Sequence, residues 1–397
     1  TLEENMTTAA GHITPDTRQR WRGVVALNLV STFSQIGQYG IGFSLYPLAL
    51  EAQGLPAWQI GAISSALWVG MLLGLLMAPA AVRRLHHSRT VLLGVVLSAV
   101  ALMVTPALPV FWWAAPAAVC GFGMGFRWIG NETWLFGIMP TEGRGRIVGF
   151  HETLIAIAAV AGPALIAVLG ATGWPSFLAG GLLSLAAAIP LQAARSVELA
   201  EDAVPAPALR PGRSWLTLLK RFLTLGAILA GIGGITEGAI LGVFPVYARE
   251  RGFDSSEAAW LLSVFGMGSL LLQFLLGWMV DTWGMKVAAA LAALVTATCA
   301  LAASVASPAG HEFAVLMFLM GGGITGFLTL GLIAATEHAN PARLAEDVSR
   351  VSIVFTLLSA VGPVVVGALA SLAGGTMLMV FACATSVILL MVLRAWR

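Results

Sequence analysis

Apolar segments long enough to cross a lipid bilayer recur along this chain, and this recurrence limits the fold more than any other feature. A helix needs about 20 predominantly apolar residues to span a hydrocarbon core of about 30 Å. We therefore predict an all-α membrane protein with twelve transmembrane helices. The predicted spans are 24–50, 58–81, 90–108, 111–139, 146–170, 175–194, 222–248, 257–280, 287–306, 312–336, 347–371 and 375–394.

Charged residues are scarce in the chain. Hydrophobic residues make up 58% of the 397 positions and charged residues 10%, whereas a soluble domain normally carries about 25% charged residues. Charges are costly in hydrocarbon, so they are confined to loops and to the few places where function requires them. We expect the lipid bilayer and no nucleic acid as a partner, and a monomeric protein.

Lys and Arg side chains mark the cytoplasmic side of a membrane protein, because cytoplasmic loops retain them. With both termini in the cytoplasm, all but three of the 21 Lys and Arg residues fall on that side or at the termini. The exceptions are Arg249 and Arg251, which lie outside, and Arg127, which lies within a span. An odd number of spans would scramble this separation, so twelve spans are favoured.

The longest internal connection follows the sixth span and carries Pro205, Pro207 and Pro211 beside an acidic cluster, a composition typical of a linker. It divides the chain into an N-terminal cytoplasmic segment (1–23), an N-terminal six-helix bundle (24–194), a cytoplasmic linker (195–221) and a C-terminal six-helix bundle (222–397).

The two predicted bundles share an internal repeat. Identical or similar residues recur at a separation of 198 positions in one block and 200 in another. Such matches are expected of two pseudo-symmetric bundles that arose by duplication. The matched positions are Tyr46-Pro47 with Phe244-Pro245, Gly54 with Gly252, Ser65 with Ser263, Gly70 with Gly268, Gly121 with Gly321, and Gly162-Pro163 with Gly362-Pro363.

A loop signature lies between the eighth and ninth predicted spans. Gly277, Asp281 and Gly284 are followed by Lys286, a pattern that resembles Gly-x-x-x-Asp-x-x-Gly with basic residues in the major facilitator superfamily. At the equivalent first-half loop, Arg83 stands where the repeat predicts the Asp. We therefore assign the gating loop to the four second-half residues.

Further segments resemble the YcaD-like bacterial branch of this superfamily. They are Glu132 followed by Arg144-Gly145-Arg146, and Phe244-Pro245-Val246-Tyr247. The resemblance implies the superfamily fold, a rocker-switch mechanism, proton coupling and a place in the bacterial cytoplasmic (inner) membrane.

Five acidic, basic or imidazole side chains lie away from the ends of the predicted spans: Arg127, Glu132, His151, Glu152 and Glu237. An ionisable residue at such a position is by default a functional candidate. Adjacent antiparallel helices bring Glu132 to His151 or Glu152, where two carboxylates and an imidazole in low dielectric cannot all stay charged. This group is either a proton carrier or a structural cluster that joins two helices.

Arg127 needs an anionic partner, because it cannot lose its proton inside the membrane. Asn131 lies one turn later on the same face. Glu237 is near the middle of the seventh span, so we predict Arg127 and Glu237 as the charged pair of the central cavity. The alternative is a static salt bridge that fixes the two halves.

The first span carries a polar stripe at intervals of three or four residues, made of Asn28, Ser31, Gln35, Gln38 and Tyr39. We predict that these side chains line a polar cavity together with Trp128. The alternative is interhelical hydrogen bonding. Under the repeat, Tyr39 corresponds to Glu237.

We infer a proton-coupled secondary transporter of a small anionic organic solute. A nucleotide-binding motif is not seen, so we expect no cofactor, and no nucleophile accompanies the ionisable group, so we do not expect an enzyme. Other hypotheses are multidrug efflux, a membrane enzyme at Glu132, His151 and Glu152, and a non-transporting receptor. Soft ligands for Cu(I) give one more alternative, a copper or other metal transporter; they are Cys120, Met124, Met317 and Met320.

Overall fold

A computed structural model of the chain describes residues 17–140, 144–197, 224–306, 311–337 and 344–396, and these residues form helices without any strand. The predicted all-α fold is confirmed. Most of the predicted N-terminal segment (1–23) and of the linker (195–221) lies outside the described residues.

Within its described residues, the first half forms six helical segments. Short 3-10 turns lie at Thr105–Ala107, Val110–Trp112 and Arg195–Val197. The helix Ala57–Val104 is interrupted by non-helical backbone at His86, so we number its two parts separately. The segments are α1 (Thr17–Gln35, π-helical Ile36–Ile41 and Gly42–Ala52), α2 (57–85), α3 (87–104), α4 (Ala114–Ile138), α5 (Arg144–Leu169) and α6 (Pro175–Ala186 with Ala188–Ala194).

The described part of the second half also forms six helices. They are α7 (Leu225–Glu250), α8 (Ser255–Trp283), α9 (Met285–Val305), α10 (Glu312–Glu337), α11 (Leu344–Ala373) and α12 (Met377–Ala395).

The outer surface of these helices is apolar, as a lipid-facing surface must be. Nine helices in the described ranges are long and apolar enough to cross a membrane, the run through α2 and α3 counting once. Val168, Phe274 and Leu372 are each at least 84% exposed. A soluble protein rarely exposes so much apolar surface, and the chain is a multi-pass membrane protein.

Close helix crossings reproduce the repeat in three dimensions. A Cβ added to Gly70 would overlap the carbonyl oxygen of Ala118, and a Cβ added to Gly268 would overlap that of Phe318. Gly70 and Gly268 are separated by 198 positions, and Ala118 and Phe318 by 200. Small residues let membrane helices approach this closely, so the glycines of α2 and α8 set the same crossing in both halves.

The two halves meet through a second pair of equivalent contacts. Ser65 of α2 donates a hydrogen bond to the carbonyl oxygen of Ala360 in α11 at 2.6 Å, and Ser263 of α8 donates to that of Val160 in α5 at 2.8 Å. Each bond crosses from one half to the other. The interface is therefore pseudo-symmetric in its hydrogen bonds as well as in its helices.

The predicted gating loop is shorter than expected. Gly277 and Asp281 lie within α8, which continues to Trp283, and Lys286 already belongs to α9. Only Gly284 separates the two helices, with φ +86°. A single glycine with positive φ thus makes the turn. The predicted loop is instead the end of α8, one glycine and the start of α9.

His86 takes the place of that glycine in the first half. It has φ 68° and ψ 167°, a backbone region that is almost restricted to glycine, and Gly284 has φ 86° and ψ 160°. The two residues are 198 positions apart. The turn geometry of the repeat has been kept although the first half lost its glycine.

We expect Gly70→Ala and Gly268→Ala to destabilise the protein by similar amounts, about 1–3 kcal/mol each, because overpacking forces the helices apart. The apparent Tm in detergent measures this loss. Gly149→Ala in α5 is the control, since a Cβ there meets nothing within 4 Å, and it should leave the Tm unchanged or raise it. Equal effects at all three positions would contradict the proposed crossings.

Candidate functional site

The polar stripe of α1 lies inside the protein and bonds to α4 and α5. Asn28, Ser31, Gln35 and Gln38 are each at most 4% exposed. The π-helical turn Ile36–Ile41 follows directly after Gln35, and such turns are frequent at functional sites. Within this turn Gln38 faces Arg127 of the same half, and the next residue, Tyr39, faces the other half.

Arg127 is a fully buried cation whose hydrogen-bond partners are amides. Its Nε donates to Oε1 of Gln38 at 3.0 Å, and its Nη2 donates to Oε1 of Gln35. The ring centre of Trp128 lies 5.9 Å from the guanidinium carbon. Among the residues that the structure describes, the remaining nitrogen, Nη1, is buried without a hydrogen-bond partner, which is costly for a charged group.

Asn131 lies one turn after Arg127 and is also incompletely bonded. Its Nδ2 donates to Oγ of Ser31 at 2.7 Å and to the carbonyl oxygen of Leu27 at 3.2 Å. Its Oδ1 is buried without a partner. The same face of α4 therefore presents one unpaired donor and one unpaired acceptor.

His151 of α5 joins three helices. Its Nδ1 lies 2.9 Å from Oδ1 of Asn28 in α1, and its Nε2 lies 2.8 Å from Oε1 of Glu132 in α4. The imidazole is fully buried, and the Glu132 side chain is 12% exposed. The predicted meeting of Glu132 with His151 is thus present.

Glu152 stands apart from this hydrogen-bonded group. Its side chain is exposed, although it lies close enough to Glu132 and His151 to interact with them electrostatically. The two carboxylates predicted together therefore differ: Glu132 is bonded to the imidazole, and Glu152 faces the surroundings.

Glu237 of α7 bonds across the interface between the halves. The hydroxyl of Tyr39 donates to Oε1 of Glu237 at 2.7 Å, and Glu237 is only 5% exposed. These residues are equivalent under the repeat. A residue that touches its own repeat equivalent must lie on the pseudo-two-fold axis, so this contact marks the centre of the molecule.

A second contact between equivalent residues lies twelve positions further along the same helices. Nη1 of Arg249 donates to Oε1 of Glu51 at 2.8 Å, and the two residues are again separated by 198 positions. Sequence reasoning missed this pair because each residue was assigned to the outer loops. The signal was available, since the offset of 198 superposes the two charges.

One face of α1 is exposed or partly exposed as far as Tyr39. Val25 and Leu29 are 56% and 42% exposed, Thr32, Ile36 and Tyr39 are intermediate, and these five residues follow one another at three or four positions. Tyr39, the last of them, bonds to Glu237 in the other half.

The structure does not bring Arg127 and Glu237 together as an ion pair. Arg127 bonds to α1 of its own half and Glu237 bonds to Tyr39. The two residues therefore do not form the static salt bridge that the sequence analysis gave as an alternative. Neutral side chains of α1, Gln38 at Arg127 and Tyr39 at Glu237, occupy the positions of their bonding partners. The stripe forms interhelical hydrogen bonds in this state, and its lining of a solute cavity stays a prediction.

The remaining candidates are placed as follows. Lys286 donates to the carbonyl oxygen of Trp396 at 2.6 Å, and Asp281 is exposed. Within the described ranges no three His, Cys, Asp or Glu residues converge on a metal-sized site. The sulfur-bearing candidates Cys120, Met124, Met317 and Met320 are fully buried in the apolar core.

Sequence comparisons place this architecture among known proteins. The model of the family described as Major Facilitator Superfamily matches residues 27–235 and 226–397. An "Uncharacterized MFS-type transporter" of Yersinia pestis (strain Pestoides F) is 24% identical over 352 residues, which cover 88% of this chain and 90% of the relative. "Uncharacterized MFS-type transporter YfkF" of Bacillus subtilis (strain 168) is 25% identical over 350 residues, or 87% of each chain.

Solved structures share the fold at low sequence identity. The nucleoside transporter NupG superposes with a TM-score of 0.69 at 15% identity, over 96% of this chain and 99% of that one. A D-xylose-proton symporter gives 0.64 at 14% identity, over 92% and 97%. A peptide transporter POT in complex with sulfate gives 0.71 at 17% identity, over 94% of both chains.

We expect the double variant Gln35→Leu with Gln38→Leu to destabilise the protein by about 3 kcal/mol or more, because Arg127 loses both hydrogen-bond acceptors. Arg127→Met alone should also lower the stability, because it leaves the buried side-chain oxygens of Gln35 and Gln38 without their donor, whereas replacing all three groups leaves no polar partner unpaired. Adding Arg127→Met to the double variant should restore the Tm in detergent. A triple variant no more stable than the double variant would show that the amides stabilise the fold independently of the cation.

Proposed function

Because this chain belongs to the Major Facilitator Superfamily, we propose that it is a proton-coupled secondary transporter that moves a small anionic organic solute across the bacterial cytoplasmic membrane by rocker-switch alternating access. The solute passes between two six-helix halves, 24–194 and 222–397.

The observation that carries this proposal is the Tyr39–Glu237 hydrogen bond on the pseudo-two-fold axis. Rocking of one half against the other must separate or realign residues of opposite halves, and this buried carboxylate is bonded to the other half. A carboxylate in such a place changes its preferred partner when it binds a proton. Proton binding at Glu237 therefore biases the equilibrium between the two orientations of the halves.

The closed side of the interface fits one end state of such a cycle. The inter-half bonds at Ser65, at Ser263 and between Glu51 and Arg249 lie towards the end of α1 and the start of α8. Under the predicted topology this side faces away from the cytoplasm, so the state is inward-facing. In this proposal the turn at Gly284 and the exposed Asp281 and Lys286 form the cytoplasmic gate of the second half.

Arg127 supports the anionic class of solute. It is a buried cation with an unpaired donor, and the acceptors around it are neutral amides. A negatively charged solute supplies the missing partner. Copper transport has no comparable support, because the four candidate sulfur ligands, Cys120, Met124, Met317 and Met320, are enclosed in the packed core.

We expect Glu237→Gln to abolish the pH dependence of the conformational equilibrium, because glutamine cannot exchange a proton. The reporter is Ser65→Cys, buried where α2 crosses α11, in a chain whose Cys120, Cys299 and Cys383 are replaced by Ser. Because only the thiolate reacts with a membrane-impermeant maleimide, the labelling rate in proteoliposomes is divided at each pH by the rate for the same chain when unfolded. This normalised rate rises when the outer side opens. We expect this rate to vary between pH 5.5 and 8 in the parent and to be constant in Glu237→Gln.

Glu257→Gln is the matched control for this experiment. It removes an exposed carboxylate of the same half and keeps the helix cap that Glu257 forms with Asp254. It should label like the parent at every pH. Labelling of Glu237→Gln that still follows pH would refute coupling through this residue.

We expect Glu51→Gln to increase labelling of the same reporter modestly at every pH, because it removes an ion pair between the halves that solvent screens on the arginine side. Arg249 is 61% exposed in its side chain, which limits the effect. The reversed pair, Glu51→Arg with Arg249→Glu, should return labelling towards the parent rate. A reversed pair that labels as fast as Glu51→Gln would mean that the charges do not hold the outer side closed.

A further inference from the structure

The hydrogen bonds around His151 fix where protons lie in the first half. Nδ2 of Asn28 donates to the carbonyl oxygen of Val24 at 2.8 Å, so Oδ1 of Asn28 is the atom that faces Nδ1 of His151. A carboxamide oxygen only accepts. Nδ1 of His151 therefore carries a hydrogen.

One further proton must lie between His151 and Glu132. Nε2 of the imidazole is 2.8 Å from Oε1 of the carboxyl group. Without a proton, the ring lone pair would face a carboxylate lone pair, which is repulsive. The contact therefore exists as an imidazolium with a carboxylate, or as an imidazole with a carboxylic acid, and both forms hold one proton.

This proton sets the charge that surrounds Arg127. Two charged groups interact with the His151–Glu132 pair: Arg127 on α4 and Glu152 on α5. The described side chains of α1 that bond to this region are neutral, namely amides and a hydroxyl. When the proton is present, the pair is neutral overall and Arg127 is an uncompensated buried cation. When the proton leaves, Glu132 becomes the counter-charge of Arg127.

Two unsatisfied atoms lie beside this cation. Nη1 of Arg127 lacks an acceptor, and Oδ1 of Asn131 lacks a donor. The bond from Nδ2 of Asn131 to the Leu27 carbonyl fixes the orientation of the amide, so the unpaired atom is the oxygen. Nη1 of Arg127 can donate to a carboxylate, and Oδ1 of Asn131 can accept from a nearby hydroxyl. A hydroxycarboxylate carries both groups.

We propose that Arg127 and Asn131 bind a small monocarboxylate, and that the anion binds together with the one proton shared by His151 and Glu132. This deepens the proposed function and rests on it, by naming the solute class and a proton site in the first half, away from Glu237. The carboxylate accepts from Nη1 of Arg127, the nitrogen that Gln35 and Gln38 leave unpaired. The bound proton and the bound anion carry opposite charges, so their joint binding adds no net charge to the low-dielectric interior.

The test measures binding of lactate to the purified full-length protein by thermal shift and by calorimetry, between pH 5.5 and 8. Propionate, which lacks the hydroxyl, is the comparison ligand. We expect the affinity for lactate to exceed that for propionate and to fall as pH rises, with a limiting slope of about tenfold per pH unit for one linked proton. Calorimetry in buffers of different ionisation enthalpy should show uptake of up to one proton per anion.

Three variants separate the parts of the cluster. Glu132→Gln cannot become the counter-charge of Arg127, so it should bind lactate at high pH as well as at low pH. Arg127→Gln should not bind lactate at any pH. Glu152→Gln, which removes the neighbouring exposed carboxylate, should keep the pH dependence of the parent.

Each contrary result overturns a defined part of the inference. If neither lactate nor propionate binds at any pH, the proposed solute class is wrong. If lactate and propionate bind with equal affinity, Asn131 is not part of the site. If Glu132→Gln keeps the pH dependence, the proton lies elsewhere. None of these results touches the labelling of Glu237→Gln, so the inference and the coupling through Glu237 can fail separately.

Discussion

The structure depends on the need of every polar group inside a hydrocarbon layer to find a partner within the protein. α1 carries more such groups than a lipid-facing helix tolerates, and α4 and α5 satisfy most of them. Arg127 is held by Gln35 and Gln38, and His151 by Asn28 and Glu132. The first half is therefore joined by hydrogen bonds across its middle, while apolar side chains and close glycine crossings do the packing elsewhere.

The second half solves the same problem with fewer polar groups. Where α1 has its amide stripe, α7 carries Thr236, bonded to Thr385, and Glu237, bonded to Tyr39. Charge is thus unevenly distributed over a symmetric framework. The cation and the imidazole lie in the first half, and a single carboxylate of the second half reaches the axis.

Sequence reasoning predicted the helices and their pairing between the halves well, because span length and residue offset can be read from the sequence without knowing which helices touch. Gly70 and Gly268, or Ser65 and Ser263, were paired by offset alone, and the structure gives each pair equivalent contacts. The partners of Arg127 were not predictable in this way. An isolated buried charge suggests a partner of opposite charge, but the groups nearest to Arg127 are the neutral amides of α1. The π-helical turn that points Gln38 and Tyr39 in different directions leaves no clear pattern in the sequence.

The two contacts on the axis also bear on how such a chain can arise. In an assembly of two identical six-helix units, a residue on the axis meets its own copy. Two glutamates or two arginines in contact there would repel each other, and neither Tyr39–Glu237 nor Glu51–Arg249 could form. Joining both copies in one polypeptide frees the equivalent positions to diverge, so directional and charge-complementary bonds on the axis are open to the fused protein but not to a symmetric pair of identical units.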